Sequence, residues 1–129
     1  MSDRVRAIRG ATTVPRDDAD EVLSATAELL DDAIAANGLT PDDMVSIIFT
    51  ATNDISSQFP AVAARNMGLA TVPLICAREI PVEGSLPLCI RLMIHAYMPA
   101  ERAVSHSYLR EAVRLRDDLV TNDLSRQKT

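Results

Sequence analysis

The sequence predicts an α/β (α+β) domain in which a four-stranded sheet carries two helices on one face, in the order βαβαββ. Three observations support this. Two segments repeat apolar residues at helical spacing, four run aliphatic and β-branched over strand-like lengths, and turn residues separate them at the junctions. With 129 residues, 14.0 kDa and 47% apolar side chains, the chain has the size and apolar content of one domain, and no composition shift marks a linker.

The first strand is expected in "VRAIRGATTV", Val5 to Val14, whose alternation sets Arg9 on the face of Val5 and Ala7 and is expected to break at Gly10. A guanidinium at a strand end reads as a group aimed at something. Asp17 and Asp18 then offer an N-cap and an acidic first turn, while Val22, Leu23, Thr26, Leu29, Leu30, Ala33 and Ile34 recur at helical spacing up to Asn37 and Gly38. Thr40, Pro41 and Asp42 begin a short turn, and "MVSIIFTAT", Met44 to Thr52, shows so little polar alternation that it reads as a central strand buried on both faces. Pro60 starts a short alanine-rich helix that Gly68 is expected to close. Thr71 to Glu79 and Leu86 to Tyr97 read as the third and fourth strands, joined through "PVEGS". Periodicity leaves the stretch from Pro99 to Leu119 open between helix and extended chain. Residues 1–119 therefore read as a single domain and 120–129 as a polar, mobile tail.

Two helices of this size cover only one face of such a sheet. In the fourth strand Leu88, Ile90, Leu92 and Ile94 form a wholly apolar face, whereas Cys89, Arg91, Met93 and His95 form a mixed one that is hardly solvent-like. The second face is expected to be buried against other copies of the chain in a closed homo-oligomer.

Charge and composition exclude several classes of function. A net charge of −5 argues against nucleic-acid and membrane-surface roles, which need a basic footprint. No stretch approaches a membrane span, and "MSDRVR" lacks the apolar run of a signal peptide, so a cytoplasmic location is expected. Cys76 and Cys89 fit neither a zinc spacing nor a disulfide framework and read as small buried hydrophobes. His95 and His106 are isolated and read as structural, so no metal is implied. Neither a P-loop nor a dinucleotide fingerprint is present.

Arg91 stands in the middle of an apolar strand, where an unpaired guanidinium costs several kcal/mol. Its partner is either an internal carboxylate such as Glu79 or an anionic ligand, and strand periodicity does not choose. Arg9 repeats the pattern. With Arg65 on the short helix and Arg116 near the C-terminus, these residues would make an anion pocket inside an acidic protein, although by sequence alone Arg65 and Arg116 read more readily as solvated surface arginines than as pocket residues.

Four motifs then carry a resemblance. "IRGATTV", "SQFPAVAAR", "VPLICAREIPVEGSLPLCIRLM" and "HSYLREAVRLRDDL" resemble, in order and spacing from about Arg6 to Leu119, the monofunctional chorismate mutases of the AroH type. The resemblance implies a homotrimer with mixed sheets around a pseudo-α/β-barrel and active sites in clefts between subunits. It implies rearrangement of chorismate to prephenate, on the route to phenylalanine and tyrosine, without cofactor, nucleophile or general base. Carried over, Arg91 faces the ether oxygen and a carboxylate, Glu79 accepts the ring hydroxyl, and Arg9 grips a carboxylate. Tyr108 also contacts the substrate; Ile75, Cys76, Ala77 and Arg78 line the cleft; and Phe59, Arg65, Leu115 and Arg116 surround its mouth. Val62 and Ile75 stand where some members carry lysine and threonine, which makes the mouth less basic and less polar. A strict period of two places Cys76 and Glu79 on opposite faces, so a bulge or the strand's end must fall between them. The trimeric imine deaminases resemble the mutases in fold, but their motifs do not match here; a non-catalytic trimeric binding module for a small dicarboxylate, or a mutase homologue that has lost turnover, is the alternative from another class.

Overall fold

The computed structural model describes residues 3–115. Its elements run β1 (Asp3–Thr13), α1 (Ala19–Asn37), a 3₁₀ turn (Pro41–Asp43), β2 (Met44–Ala51), α2 (Ala61–Asn66), β3 (Leu74–Arg78), β4 (Cys89–Pro99), β5 (Ser107–Tyr108) and a second 3₁₀ turn (Arg110–Ala112). The sheet has five strands in the order β3-β2-β4-β1-β5. It is mixed: β4 pairs antiparallel with β1 and β2, while β3 runs parallel to β2 and β5 parallel to β1.

This corrects the four-stranded βαβαββ expectation and the pseudo-barrel that accompanied it. The sheet is open, with β3 and β5 as its two edges. The fifth strand escapes a reading by periodicity because its two residues are too few to alternate; its backbone pairing with Gly10 and Ala11 makes it a strand. β2 is an interior strand, between β3 and β4, but it is not buried on both faces, since Ile48 is 37% exposed.

β1 does not break at Gly10, which pairs with Leu92. A Cβ there would lie 3.1 Å from Leu92 Cδ1 and 3.2 Å from Leu29 Cδ1, so glycine lets α1 pack close to the sheet. Arg9 is therefore an interior strand residue opposite Met93, not a strand terminus.

α1 begins where the Asp18 side chain accepts from Glu21 N–H (3.1 Å) and ends at Gly38, whose φ of 61° gives the left-handed cap. α2 ends one residue earlier than expected, with Met67 as its C-cap. Both helices lie on one face. Leu29, Leu30 and Ala33 of α1 and Ala61 and Ala64 of α2 share a core with Ile8, Ile47, Phe49, Leu92 and Ile94. A second cluster joins Val22 and Ala25 to Val14, Ala51, Ile55 and Ile90.

On the other face lie Arg9, Ile48, Thr50, Arg91 and Met93, and among the described residues only one end is covered, by a small cluster of Ala11, Cys89, Tyr108 and Ala112. Val5 (48%), Ile75 (61%) and Tyr97 (51%) are exposed. Among the described residues no helix is long and apolar enough to cross a membrane. The expected tail at 120–129 lies outside the described residues.

Candidate active site

Strand pairing brings Arg9, Arg91 and Glu79 to one cleft. Arg9 faces Met93 on β4, two residues from Arg91, so the arginines are diagonal neighbours on one sheet face, roughly 7–8 Å apart at their backbones. Two like charges this close on an apolar surface favour an anion between them. Arg91 also faces Thr50 of β2, and Glu79 follows β3, held by its N–H to Ala51 C=O (3.0 Å). The strand's end thus falls between Cys76 and Glu79. The cleft, of about 670 Å³, is lined by Arg9, Gly10, Ala11, Ile48, Thr50, Glu79, Arg91, Leu92, Met93, Tyr108 and Leu115.

Arg91 Nε lies 3.6 Å from Glu79 Oε2, and the two side chains remain 40% and 25% exposed. The internal ion pair left open by the sequence therefore exists, but it is too long to be a hydrogen bond and leaves the guanidinium fork unengaged among the described residues. Thr50 Oγ1 donates to the same Glu79 Oε2, which directs Oε1 toward other donors. Sequence reasoning missed Thr50, because β2 carries a second hydroxyl, Ser46, on the same face and nothing local tells the two apart.

Four buried side-chain atoms lack a hydrogen-bond partner among the described residues, and two of them, Arg91 Nε and Tyr108 Oη, belong to residues of this cleft. Buried polar groups left without partners are costly, and each calls for a partner beyond the described residues. Cys89, beneath Arg91, is buried, and that burial pushes its thiol pKa up, which keeps it protonated at neutral pH and unsuited to nucleophilic attack.

Phe59, Cys76, Ala77 and Arg78 line a second cleft of about 470 Å³ together with Ala51, Ile55, Ser56, Ser57, Gln58 and Pro60. The two clefts share no lining residue. Here the polar groups are mutually satisfied. Arg78 Nη1 donates to Thr52 C=O (2.7 Å) and Ile55 C=O (2.6 Å), bracing the loop. The Asp17 carboxylate accepts from Ser56 N–H, Ser56 Oγ and Ser57 N–H, each at 3.0 Å. Asp17, read from the sequence as part of a helix start, thus anchors the loop that walls the second cleft. The Ser57 side chain, above all, holds the Asp17 carboxyl below the usual 3.8, with the Ser56 and Ser57 amides acting in the same direction.

Of the other expected site residues, Arg65 is exposed on α2 and Ile75 is exposed on β3, and both stand outside these two linings. Val62 is half-buried on α2. Arg116 lies outside the described residues. Among the described residues no group of three or more His, Cys, Asp or Glu side chains is placed to hold a metal.

Comparison with known proteins adds to this geometry. Residues 5–119 match the family model described as chorismate mutase type I. The chain is 50% identical over 118 residues to chorismate mutase AroH of Thermus thermophilus, covering 89% of this chain and 96% of that protein. It is 42% identical over 118 residues to chorismate mutase AroH of Bacillus subtilis (89% and 92%). A solved chorismate mutase from Clostridium thermocellum superposes with a TM-score of 0.80 at 48% identity, covering 84% of this chain and 97% of that one.

Proposed function

Because the chain belongs to the chorismate mutase type I family, we propose that its first cleft converts chorismate to prephenate, with Arg91, Glu79 and Arg9 carrying the reaction. The observation that bears most weight is the pair of diagonal arginines beside one carboxylate, with unpaired donors on Arg91 and Tyr108.

The rearrangement is unimolecular: one C–O bond breaks as one C–C bond forms, and no proton moves. Catalysis is then positioning plus electrostatics. The site must hold two carboxylates with the side chain folded over the ring, and offset negative charge growing on the ether oxygen. Arg91 meets that oxygen and a carboxylate with its planar fork, since guanidinium offers several fixed donors and a permanent charge. Arg9 holds a carboxylate. Glu79, one oxygen engaged by Thr50, accepts the ring hydroxyl on the other. Tyr108 donates to the substrate from the cleft wall, with Leu115 beside it.

The second cleft completes the site from a neighbouring copy. In this reading the protein is a closed homotrimer, and Phe59, Arg65, Ile75, Cys76, Ala77 and Arg78 of one subunit face Arg91 of the next, with Arg116 at the mouth. The exposed apolar residues of the open sheet face, Val5, Ile48, Ile75 and Tyr97, support association through that face. Two unpaired cysteines support a reducing, cytoplasmic compartment.

The test is chorismate loss measured with purified protein, with product identified as prephenate. Turnover supports the proposal; chorismate binding without turnover, or ammonia release from an imine, overturns it. Sedimentation at micromolar concentration tests the assembly, and a stable, fully active monomer contradicts the shared site.

A further inference from the structure

We infer that His106 is a positioning residue for Arg9, an inference that rests on the proposed role of Arg9 in the first cleft. The Arg9 N–H donates to His106 Nδ1 at 2.9 Å, across 97 residues of sequence. Beyond Gly10 and Ala11, where β1 pairs with Ser107 and Tyr108, the short β5 has no further rung to offer. The imidazole supplies it, so the backbone from which the Arg9 side chain projects is tied down at that residue.

The segment carrying His106 is itself fixed on both sides. On one side, buried Asn37 at the end of α1 grips Ser105, accepting from its N–H on Oδ1 (2.8 Å) and donating from Nδ2 to its C=O (2.9 Å). On the other, Leu109 N–H donates to Ala11 C=O at 2.9 Å. A supporting group locked in this way holds its neighbour to a fraction of an ångström, which is what a carboxylate-gripping side chain requires.

Because Nδ1 accepts, it carries no proton, and the neutral ring holds its proton on Nε2. Protonating Nδ1 abolishes the bond and sets a second positive charge beside Arg9. Burial, and then the Arg9 charge, lower the His106 pKa from its ordinary 6.5. Arg9 of β1 is the charged group that bears on the ring; from α1, the residue reaching this segment is the neutral Asn37, while Glu28 is engaged by Arg110 at 3.2 Å. The bond is therefore intact at neutral pH and is lost as pH falls through the lowered folded value, which lies below 6.5, although the reaction itself moves no proton.

The experiment compares wild type, His106→Leu and His106→Asn in kcat and KM from pH 5 to 8, with hydrogen exchange of the Arg9 amide on the same samples. Wild-type kcat/KM falls on the acid side, with an apparent pKa below 6.5. His106→Leu loses about tenfold in kcat/KM at neutral pH, mostly through KM, the size expected for one lost hydrogen bond. His106→Asn, whose Oδ1 can take the place of Nδ1, recovers most of that loss and has no acid limb in this range. Unchanged kcat/KM in His106→Leu, equal damage in both variants, or an acid limb surviving in His106→Asn each overturns the inference. The Arg9 amide exchanges faster in His106→Leu if the bond is made; equal exchange overturns the contact itself. A wild type that does not turn over chorismate while the amide responds refutes the function, not the hydrogen bond.

Discussion

The two clefts of this chain differ in how their polar groups are spent. In the first, Arg91 keeps its fork open and Tyr108 Oη has no partner among the described residues. In the second, Asp17 is saturated by Ser56 and Ser57, and Arg78 Nη1 holds two loop carbonyls. Unsatisfied donors on a sheet face carry a standing cost that a ligand or a neighbouring copy relieves, whereas satisfied groups in a loop shape a wall. The difference teaches where charge chemistry belongs: an arginine in a cleft is informative only once its existing partners are known.

The largest effect is expected at Arg91. Removing one preorganised donor to a developing oxyanion costs about 3–4 kcal/mol, or roughly a hundred- to a thousandfold in rate, and a full charge in a cleft costs at least that. Arg91→Ala should remain folded and lose turnover to this degree, and Arg91→Lys should be badly impaired too, because a point charge cannot reach oxygen and carboxylate together. If instead Arg91→Ala dissociates or unfolds while any surviving assembly works normally, the 3.6 Å pair with Glu79 is structural and the first cleft loses its role.

Glu79→Gln should cost less, on the order of tenfold to a hundredfold in kcat/KM, because one hydrogen bond to a charged acceptor is weakened. The solvent deuterium effect on the chemical step should be close to one. A large effect would mean that Glu79 moves a proton.

Asp17→Ala tests the other side of the comparison. Freed of its three hydrogen bonds, the Ser56–Pro60 wall should raise KM several-fold and leave kcat within about twofold. Since the Asp17 carboxyl sits below its ordinary 3.8 in the folded protein, its anchoring is present above that pH and is lost as pH falls through the lower folded value; no Asp17-dependent change in KM is expected between pH 5 and 8. An acid-dependent rise in KM near pH 6 that disappears in Asp17→Ala would reverse that sign. Smallest in activity is Gly10→Ala, which should lower stability by about 1–3 kcal/mol through contact with Leu92 and Leu29, while any folded protein turns over nearly as well.

What the sequence disclosed follows from what periodicity can register. Arg91 and Arg9 were legible because a charge on an apolar strand contradicts its surroundings, and Glu79 as a carboxylate able to pair with Arg91, its role coming from the resemblance. α1 was legible from its apolar repeat and the aspartate and glycine at its ends. Gly10 misled, because glycine ends strands as readily as it admits a close helix, and only the position of Leu29 decides between the two. β5, two residues long, left no pattern. Asp17, Asn37 and His106 act through hydrogen bonds to residues 39 to 97 positions away, and no local spacing encodes such a partner. Thr50 is one of two hydroxyls in β2, with Ser46, and its acceptor Glu79 is reached only through the pairing of β2 with β3, 29 positions away in sequence.

The central claim is that the two unlike clefts, each incomplete, meet between neighbouring subunits to form one active site. Arg91→Ala removes the charged half, and Phe59→Glu sets a carboxylate in the other half against a dianionic substrate, so each variant alone should be nearly inactive. Equal amounts of the two, unfolded together and refolded, should regain about a quarter of wild-type turnover, since random head-to-tail assembly pairs two intact halves at about one site in four. A mixed assembly that forms with wild-type mass but stays as inactive as either parent would contradict the shared site.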